Sequence, residues 1–357
     1  MTPLGHLIAA RIAAEGPISL ADYMADCLMH PVHGYYASRD PFGAGGDFTT
    51  APEISQMFGE LVGLCLAQAW IDQGRPLPFR LVELGPGRGT LMADMLRAIA
   101  SVPGLAGQIE VGLVEASPTL RAVQKQGLRG HKVQWLDRLD DLAQGPLFLV
   151  ANEFFDALPI RQFVRAGAGW RERMVGLQDG RLTLGLGPAT PYGPLAPRLT
   201  DTRRGDLVEF CPALAPVATE IARRVAEQGG AALVIDYGGW HSLGDTFQAL
   251  KDHGPTDPFA APGEADLTAH VDFEALSLAF TRPGARPSRM VPQGVFLDRL
   301  GIGARADRLA ARLQGAALDN HLAAHRRLTH PSEMGELFKV IACHPEGHPP
   351  PPGLDPL

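Results

Sequence analysis

The chain has 357 residues, 45% of them hydrophobic, which is enough to bury a sizeable core in one enlarged domain or two ordinary ones. Its 32 basic residues are outnumbered by 39 acidic ones, and a formal net charge of −7 argues against a nucleic-acid binder, whose affinity rests on clustered Lys and Arg. The four cysteines, Cys27, Cys65, Cys211 and Cys343, form no C-x-x-C pair, so a disulfide framework or thiolate zinc site is not expected and a reducing compartment is.

In chain order, residues 4–15 carry helical periodicity through Leu4, Leu7, Ile8 and Ile12. Ser19 suits the cap of a second helix over 20–28. Residues 30–50, rich in Gly, Tyr, Asp and His, read as loop. Pro52 and Glu53 suit a helix start, and one helix is expected from there to about residue 73. Strands are then predicted over 79–84, 109–115, 132–136, 146–151 and 231–237, with helices over 90–100, 118–126 and 213–227 between them. That alternation predicts an α/β fold with a doubly wound, Rossmann-like sheet. A hairpin over 170–177 and 181–186 is expected to turn at Asp179-Gly180. Residues 187–197 read as Pro/Gly-rich loop, and 239–269 as a long stretch of weak periodicity. A helix over 305–314 and a strand over 337–343 complete the core, and 345–357 reads as a disordered tail. The expected plan is an N-terminal helical and lid segment (1–75), a core (76–165 and 206–240), a hairpin insertion (166–205), and a substrate-side segment with the final core strands (241–344). No apolar run reaches the ~20 residues that span a bilayer, so no stable membrane insertion is expected. The first 17 residues lack a signal or transit pattern, which places the chain in the cytoplasm.

The first strand ends in Glu83-Leu84-Gly85-Pro86-Gly87-Arg88-Gly89. Gly-x-Gly at the carboxyl edge of such a sheet marks a ligand crevice, because glycine lets the backbone turn sharply and approach a ligand. A dinucleotide fingerprint would put its third glycine at position 90, where Thr90 stands, and Pro86 removes an amide that a pyrophosphate would use. S-adenosylmethionine carries no phosphate and tolerates both. Glu83 can take its cationic amino-acid head, and Glu115, ending the second strand next to Ala116, can accept from both ribose hydroxyls. Asp137, past the third strand, is a candidate for the adenine amino group. Gly85, Pro86 and Gly87 complete the expected cofactor-binding set.

After the fourth strand comes Asn152-Glu153-Phe154-Phe155-Asp156. In the expected fold this segment lies beside the methyl group, so Asn152, Glu153 and Asp156 are the catalytic candidates. Asn152 could orient an acceptor nitrogen, and two carboxylates could hold a guanidinium by paired, charge-assisted hydrogen bonds. The competing reading is that the acidic residues favour a helix N-terminus. His30/His33 and His321/His325 have metal-compatible spacing with no third ligand, so no metal site is expected.

The segments 46–60 (from Gly46-Asp47-Phe48-Thr49-Thr50), 82–89, 151–159 and 263–273 (Gly263-Glu264-Ala265-Asp266-Leu267-Thr268-Ala269-His270) resemble those of the MidA-like methyltransferases, relatives of the mitochondrial complex I assembly factor seven. That resemblance implies a class I methyltransferase fold, S-adenosylmethionine as cofactor, and symmetric dimethylation of arginine on a respiratory complex I (NADH dehydrogenase) subunit. It also places Phe48, Thr50 and Glu53 over the cofactor as a lid, and Asp266 and His270 in an acceptor channel, with Thr268 and Asp272 nearby. Two alternatives stay open: methylation of another amino group or a small molecule through Asn152, and an assembly chaperone that keeps a vestigial cofactor pocket.

Overall fold

The computed structural model describes residues 1–38, 50–105 and 107–357. Seven strands make the main sheet: β1 Phe79–Leu84, β2 Ile109–Val114, β3 Val133–Leu136, β4 Leu147–Asn152, β5 Gly230–Gly239, β6 Arg286–Pro287 and β7 Phe338–His344. Their order is β6-β7-β5-β4-β1-β2-β3, with β1 to β5 parallel and β7 antiparallel to β5. Two-residue strands at Val271–Asp272 and Val291–Pro292 extend it beside β5 and β7.

Both faces are covered, which is why these strands read as near-continuous apolar runs. Alternate residues divide between two cores. Phe79, Leu81, Phe148 and Val150 face the helices Gln56–Asp72 and Thr90–Ile99. Val82, Leu84, Leu149 and Ala151 face the helices Leu214–Gln228 and Phe273–Thr281. A third core lies outside the sheet. The helices Pro3–Glu15 and Leu20–Met29 bury Leu4, Ile8, Ile12 and Tyr23 against Val175 and Leu182 of the hairpin. The strand Ile18–Ser19 pairs antiparallel with Met174 and Val175, tying the N-terminal segment to the insertion.

Several boundaries differ from the sequence expectation, each for a local reason. The helix expected from Pro52 to about residue 73 is two, Ala51–Ile54 and Gln56–Asp72, because Ser55 is extended (φ −160°) and its Oγ accepts from Met57 N at 3.3 Å. The hairpin turns at Asp179-Gly180, both at positive φ, but its second strand runs to Thr190, so 187–190 is strand rather than loop. It belongs to a small separate sheet with Arg161–Ala166 and Leu207–Phe210, strands that the expected plan had placed mostly in the core. The weakly periodic 239–269 holds three short strands, Gln248–Lys251, Gly254–Thr256 and Asp266–Thr268. The helices Phe273–Thr281, Gln293–Arg299 and Ala316–Thr329 had no clear sequence signal, and the helix expected at 305–314 is Ile302–Ala310. The terminal residues are ordered, not a loose tail. Arg289 N donates to Asp355 O, Arg299 pairs with Asp355, and Leu354 packs into the first core.

Phe148 is fully buried and stacks on Phe79 with ring centroids 4.6 Å apart. Phe148→Ala should cost about 3–5 kcal/mol, read as a lower urea midpoint. A loss well under 1 kcal/mol would show that the two faces can close over the missing ring.

Candidate functional site

The strand order reverses between β1 and β4, and a doubly wound sheet opens its ligand crevice there, at the carboxyl ends. Gly85, Gly87 and Gly89 all lie in the left-handed region, at φ 62°, 52° and 83°. A Cβ on Gly85 would stand 3.0 Å from Phe154 Cδ2, so the turn needs both the conformation and the missing side chain. The crevice above it is lined by Thr50, Glu53, Glu83, Pro86, Asn152 and Glu153, among others. Thr90 Oγ1 donates to Glu53, which holds the short helix Ala51–Ile54 across the glycine turn. Glu83 is buried, its Oε2 has no hydrogen-bond partner, and burial together with the nearby Glu115 carboxylate pushes its pKa up to about 8. Such a group is poised for a cation.

Glu115 follows β2 and is itself buried. Its carboxylate accepts from Ser117 N (2.7 Å) and Gln124 Nε2 (3.2 Å), and burial raises its pKa against those bonds. Gln124 also donates to Gly87 O at 2.7 Å and accepts from Trp135 Nε1, so one amide ties the glycine turn to the acidic residue. Ala116 is exposed beside it. Asp137 stands apart: its carboxylate is largely exposed and pairs with Arg121 at 2.6 Å.

Beyond β4 the chain turns through Glu153, a non-glycine residue at φ 52°. Glu153 Oε1 accepts from Ala51 N (3.2 Å) and Asn152 Nδ2 (3.0 Å), while Asn152 Oδ1 is buried without a partner. Burial, and then the charge of Asp156, push Glu153 to about 7. Asp156 is buried, has an unpartnered Oδ1, and is pushed to about 6 by burial, with the Tyr237 hydroxyl holding it down. Below them Asp236 accepts from Phe154 N (3.2 Å), Phe155 N (3.0 Å), Asp156 N (3.3 Å) and Tyr237 N (3.0 Å).

Glu153 and Thr50 also line a second, larger cavity of ≈ 560 Å³, together with Asp156, Tyr237, Asp266, His270 and Arg327. Asp266 accepts from Tyr36 Oη at 3.0 Å. His270 is half-buried and its pKa is lowered, first by burial and then by Lys339. Asp272 caps the helix Phe273–Thr281 by accepting from Ala275 N and does not line the cavity.

The structure thus brings Glu83, Gly85, Pro86, Gly87, Thr50, Glu53, Asn152 and Glu153 to one crevice, and Asp156, Asp266 and His270 to the adjoining cavity. Phe48 lies outside the described residues. Residues that sequence reasoning missed are Gln124, Asp236, Tyr237, Tyr36 and Arg327. Only Asp236-Tyr237 left a signal, as a polar pair at the carboxyl end of an apolar strand.

Residues 61–290 match a family described as "Putative S-adenosyl-L-methionine-dependent methyltransferase". The chain is similar to "Protein arginine methyltransferase NDUFAF7, mitochondrial" of Danio rerio, at 38% identity over 95% of this chain and 86% of the relative. The Homo sapiens protein of the same name is 36% identical over 97% of this chain and 84% of its own. Among solved structures, a Burkholderia thailandensis protein bound to S-adenosyl-homocysteine superposes with TM-score 0.81 at 30% identity, over 99% of this chain and 92% of that one. The sheet is therefore of the class I methyltransferase kind. The cytoplasmic expectation is corrected by the same relatives, which are named as mitochondrial proteins. The signal-based reading was a poor guide because it weighed only the absence of a pattern.

Gly87→Val places a β-branched side chain at positive φ beside the crevice. Calorimetry with S-adenosyl-homocysteine should show binding lost while circular dichroism stays unchanged. Retained affinity would mean that the turn does not meet the cofactor.

Proposed function

This chain belongs to the S-adenosylmethionine-dependent methyltransferases, and on that premise we propose that it methylates arginine side chains of a protein, symmetrically, on a respiratory complex I subunit. The relatives named protein arginine methyltransferase support arginine as the acceptor. The complex I target and the symmetric product are supported by the family resemblance of the motifs. The observation that carries the acceptor type is Glu153, one carboxylate shared by the crevice and the cavity, with the unpartnered Asp156 Oδ1 beside it.

The residues present fit the cofactor. The unpartnered Glu83 Oε2 suits a cationic amino group, Glu115 has lone pairs left for ribose hydroxyls, and the glycine turn leaves room for close approach. When bound, S-adenosylmethionine supplies a methyl group on a positively charged sulfur. Methylating a guanidinium cation turns two positive reactants into one positive product and a neutral thioether, so one proton must leave. Glu153, at about 7, is matched to accepting it near neutral pH. Asp156 can hold the guanidinium from a second side, and the free Asn152 Oδ1 can fix the angle of the attacking nitrogen.

Glu153→Gln keeps the shape and the Oε1 acceptor but removes the base. Turnover should fall about 10²-fold or more while affinity for S-adenosyl-homocysteine stays within a few-fold. Equal losses in both would move Glu153 into the cofactor site. Mass spectrometry of the complex I subunit, incubated with and without the protein, tests the acceptor: two added methyl groups on one arginine are expected, and an unchanged subunit refutes the target.

The pH dependence follows from the raised pKa. Glu153 must be deprotonated to act, so kcat/KM should rise with pH through about 7 and level above it. A bound cationic acceptor favours the carboxylate, so the same limb in kcat should lie at lower pH. A profile flat from pH 6 to 8 would exclude Glu153 as the base.

A further inference from the structure

Tyr36 joins the two halves of the site. It follows a tight turn at Gly34, whose amide donates to His30 O at 2.8 Å and where an added Cβ would stand 2.5 Å from His30 N. The turn leads from the helix Leu20–Met29 into the single helical turn Tyr35–Ser38. Tyr35 is buried there in the third core, while Tyr36 lines the larger cavity. Tyr36 makes two hydrogen bonds to distant parts of the chain. Its carbonyl accepts from Ser117 Oγ at 2.9 Å, and its phenol donates to Asp266 Oδ1 at 3.0 Å. Burial, and then the charges of Asp266 and Asp156, raise the Tyr36 pKa, so the phenol keeps the hydrogen that it donates.

Each bond ends beside a residue of the site. The Ser117 amide donates to Glu115 Oε1 at 2.7 Å, and its hydroxyl caps the helix Pro118–Gly127 by accepting from Leu120 N at 3.4 Å. A hydroxyl has one hydrogen to give, so the lone pairs of Ser117 serve the cap and its hydrogen serves Tyr36. The Tyr36 backbone is thereby anchored to the end of β2. Asp266 belongs to a different unit. It begins the strand Asp266–Thr268, which lies in a three-stranded sheet separate from the main one. That small sheet meets the turn after β4 where Ala269 N donates to Asp156 O at 3.0 Å. This backbone bond leaves the Asp266 side chain free to turn about its own torsions, and the phenol of Tyr36 is what grips it. A hydrogen bond from a fixed donor to one carboxylate oxygen limits that rotation and sets where the remaining lone pairs point. Binding a planar, cationic acceptor in a reactive pose depends on such directions.

We propose that Tyr36 is a positioning residue that sets the acceptor wall against the cofactor half of the site, aiming the Asp266 carboxylate at the cationic acceptor from a backbone anchored on Ser117. The inference rests on the arginine-methylation reading and names a residue that reading does not need.

The test is Tyr36→Phe, which keeps the ring and removes the hydroxyl, assayed on the full chain with the complex I subunit as acceptor. KM for the acceptor should rise about tenfold, as expected for one hydrogen bond to a charged group, while kcat and the affinity for S-adenosyl-homocysteine stay within about twofold of wild type. A purely structural role would lower the melting temperature and leave KM where it was, and that result overturns the proposal. A fall in kcat or in cofactor affinity as large as the rise in KM overturns it too. Asp266→Asn, which keeps an acceptor for Tyr36 and removes the charge, is an independent arm. It should raise KM at least as much, and an unchanged KM would sink the role given to Asp266. If Tyr36 acts through Asp266, the double variant is no worse than Asp266→Asn alone, whereas additive losses refute the link. A wild-type protein that binds the cofactor but methylates no arginine defeats the proposed function itself. A wild type that does methylate, with Tyr36→Phe indistinguishable from it, defeats this inference alone.

Discussion

The site hangs on the carboxylate of Asp236. It is fully buried on β5, next to β4, and one of its oxygens takes the amides of three successive residues, Phe154, Phe155 and Asp156. Consecutive N–H groups converging on one anion form a tight concave turn. The parallel ladder first carries one residue past β4, with Glu153 N donating to Ile235 O, and then Asp236 gathers the chain. That gathering holds Glu153 in a left-handed conformation which costs an ordinary residue about 1–2 kcal/mol. Without the carboxylate, three buried amides would lose their acceptor at roughly 1–3 kcal/mol each. The strain at Glu153 and the direction of Asp156 are thus set from a neighbouring strand, away from either ligand cavity.

The same arrangement crowds buried carboxyl groups together. Glu83 lines the crevice at the glycine turn with Glu115 close by, Glu153 lines both cavities, and Asp156 and Asp266 line the larger one. Burial raises the pKa of four of them, Glu83, Glu115, Glu153 and Asp156, and the nearby charge of Glu115 adds to the rise at Glu83, as that of Asp156 does at Glu153. Buried charge without a counter-ion lowers stability, and a sulfonium with a cationic head on one side and a guanidinium on the other would offset it. The protein tolerates this imbalance because two large apolar cores on the faces of the sheet hold the strands in place.

How much of this the sequence reveals depends on how local the controlling interaction is. The parallel strands were legible as apolar runs, two of which, β1 and β2, lead directly into the helices Thr90–Ile99 and Pro118–Gly127, and the glycine turn because its spacing is incompatible with a pyrophosphate. Glu83, Glu115 and Glu153 could be picked out because they sit at strand ends, where position along the chain nearly equals position in the site. Tyr36, Gln124 and Arg327 could not be found this way. They arrive from an N-terminal turn, the inner side of a helix and the last turn of Ala316–Thr329, brought in by packing across more than a hundred residues or by burial that leaves no pattern. The broken helix at Ser55 and the ordered C-terminal residues escaped for a similar reason. A serine that caps its own successor, and prolines held by a distant Cys65 through Pro352 O, look like ordinary helix and ordinary tail in one dimension.

The pairing of Ile18–Ser19 with the hairpin strand Gly169–Gln178 sets an order on biogenesis. The helices Pro3–Glu15 and Leu20–Met29 leave the ribosome well before the hairpin: Val175 and Leu182, on which Leu4, Ile8 and Ile12 bury, are made more than 150 residues later. At roughly 5–20 residues per second their apolar faces stay unburied for many seconds of synthesis. Apolar faces left open that long suit a holding chaperone, and the larger cavity, walled in part by Arg327, Met334 and Phe338, is among the last parts to close.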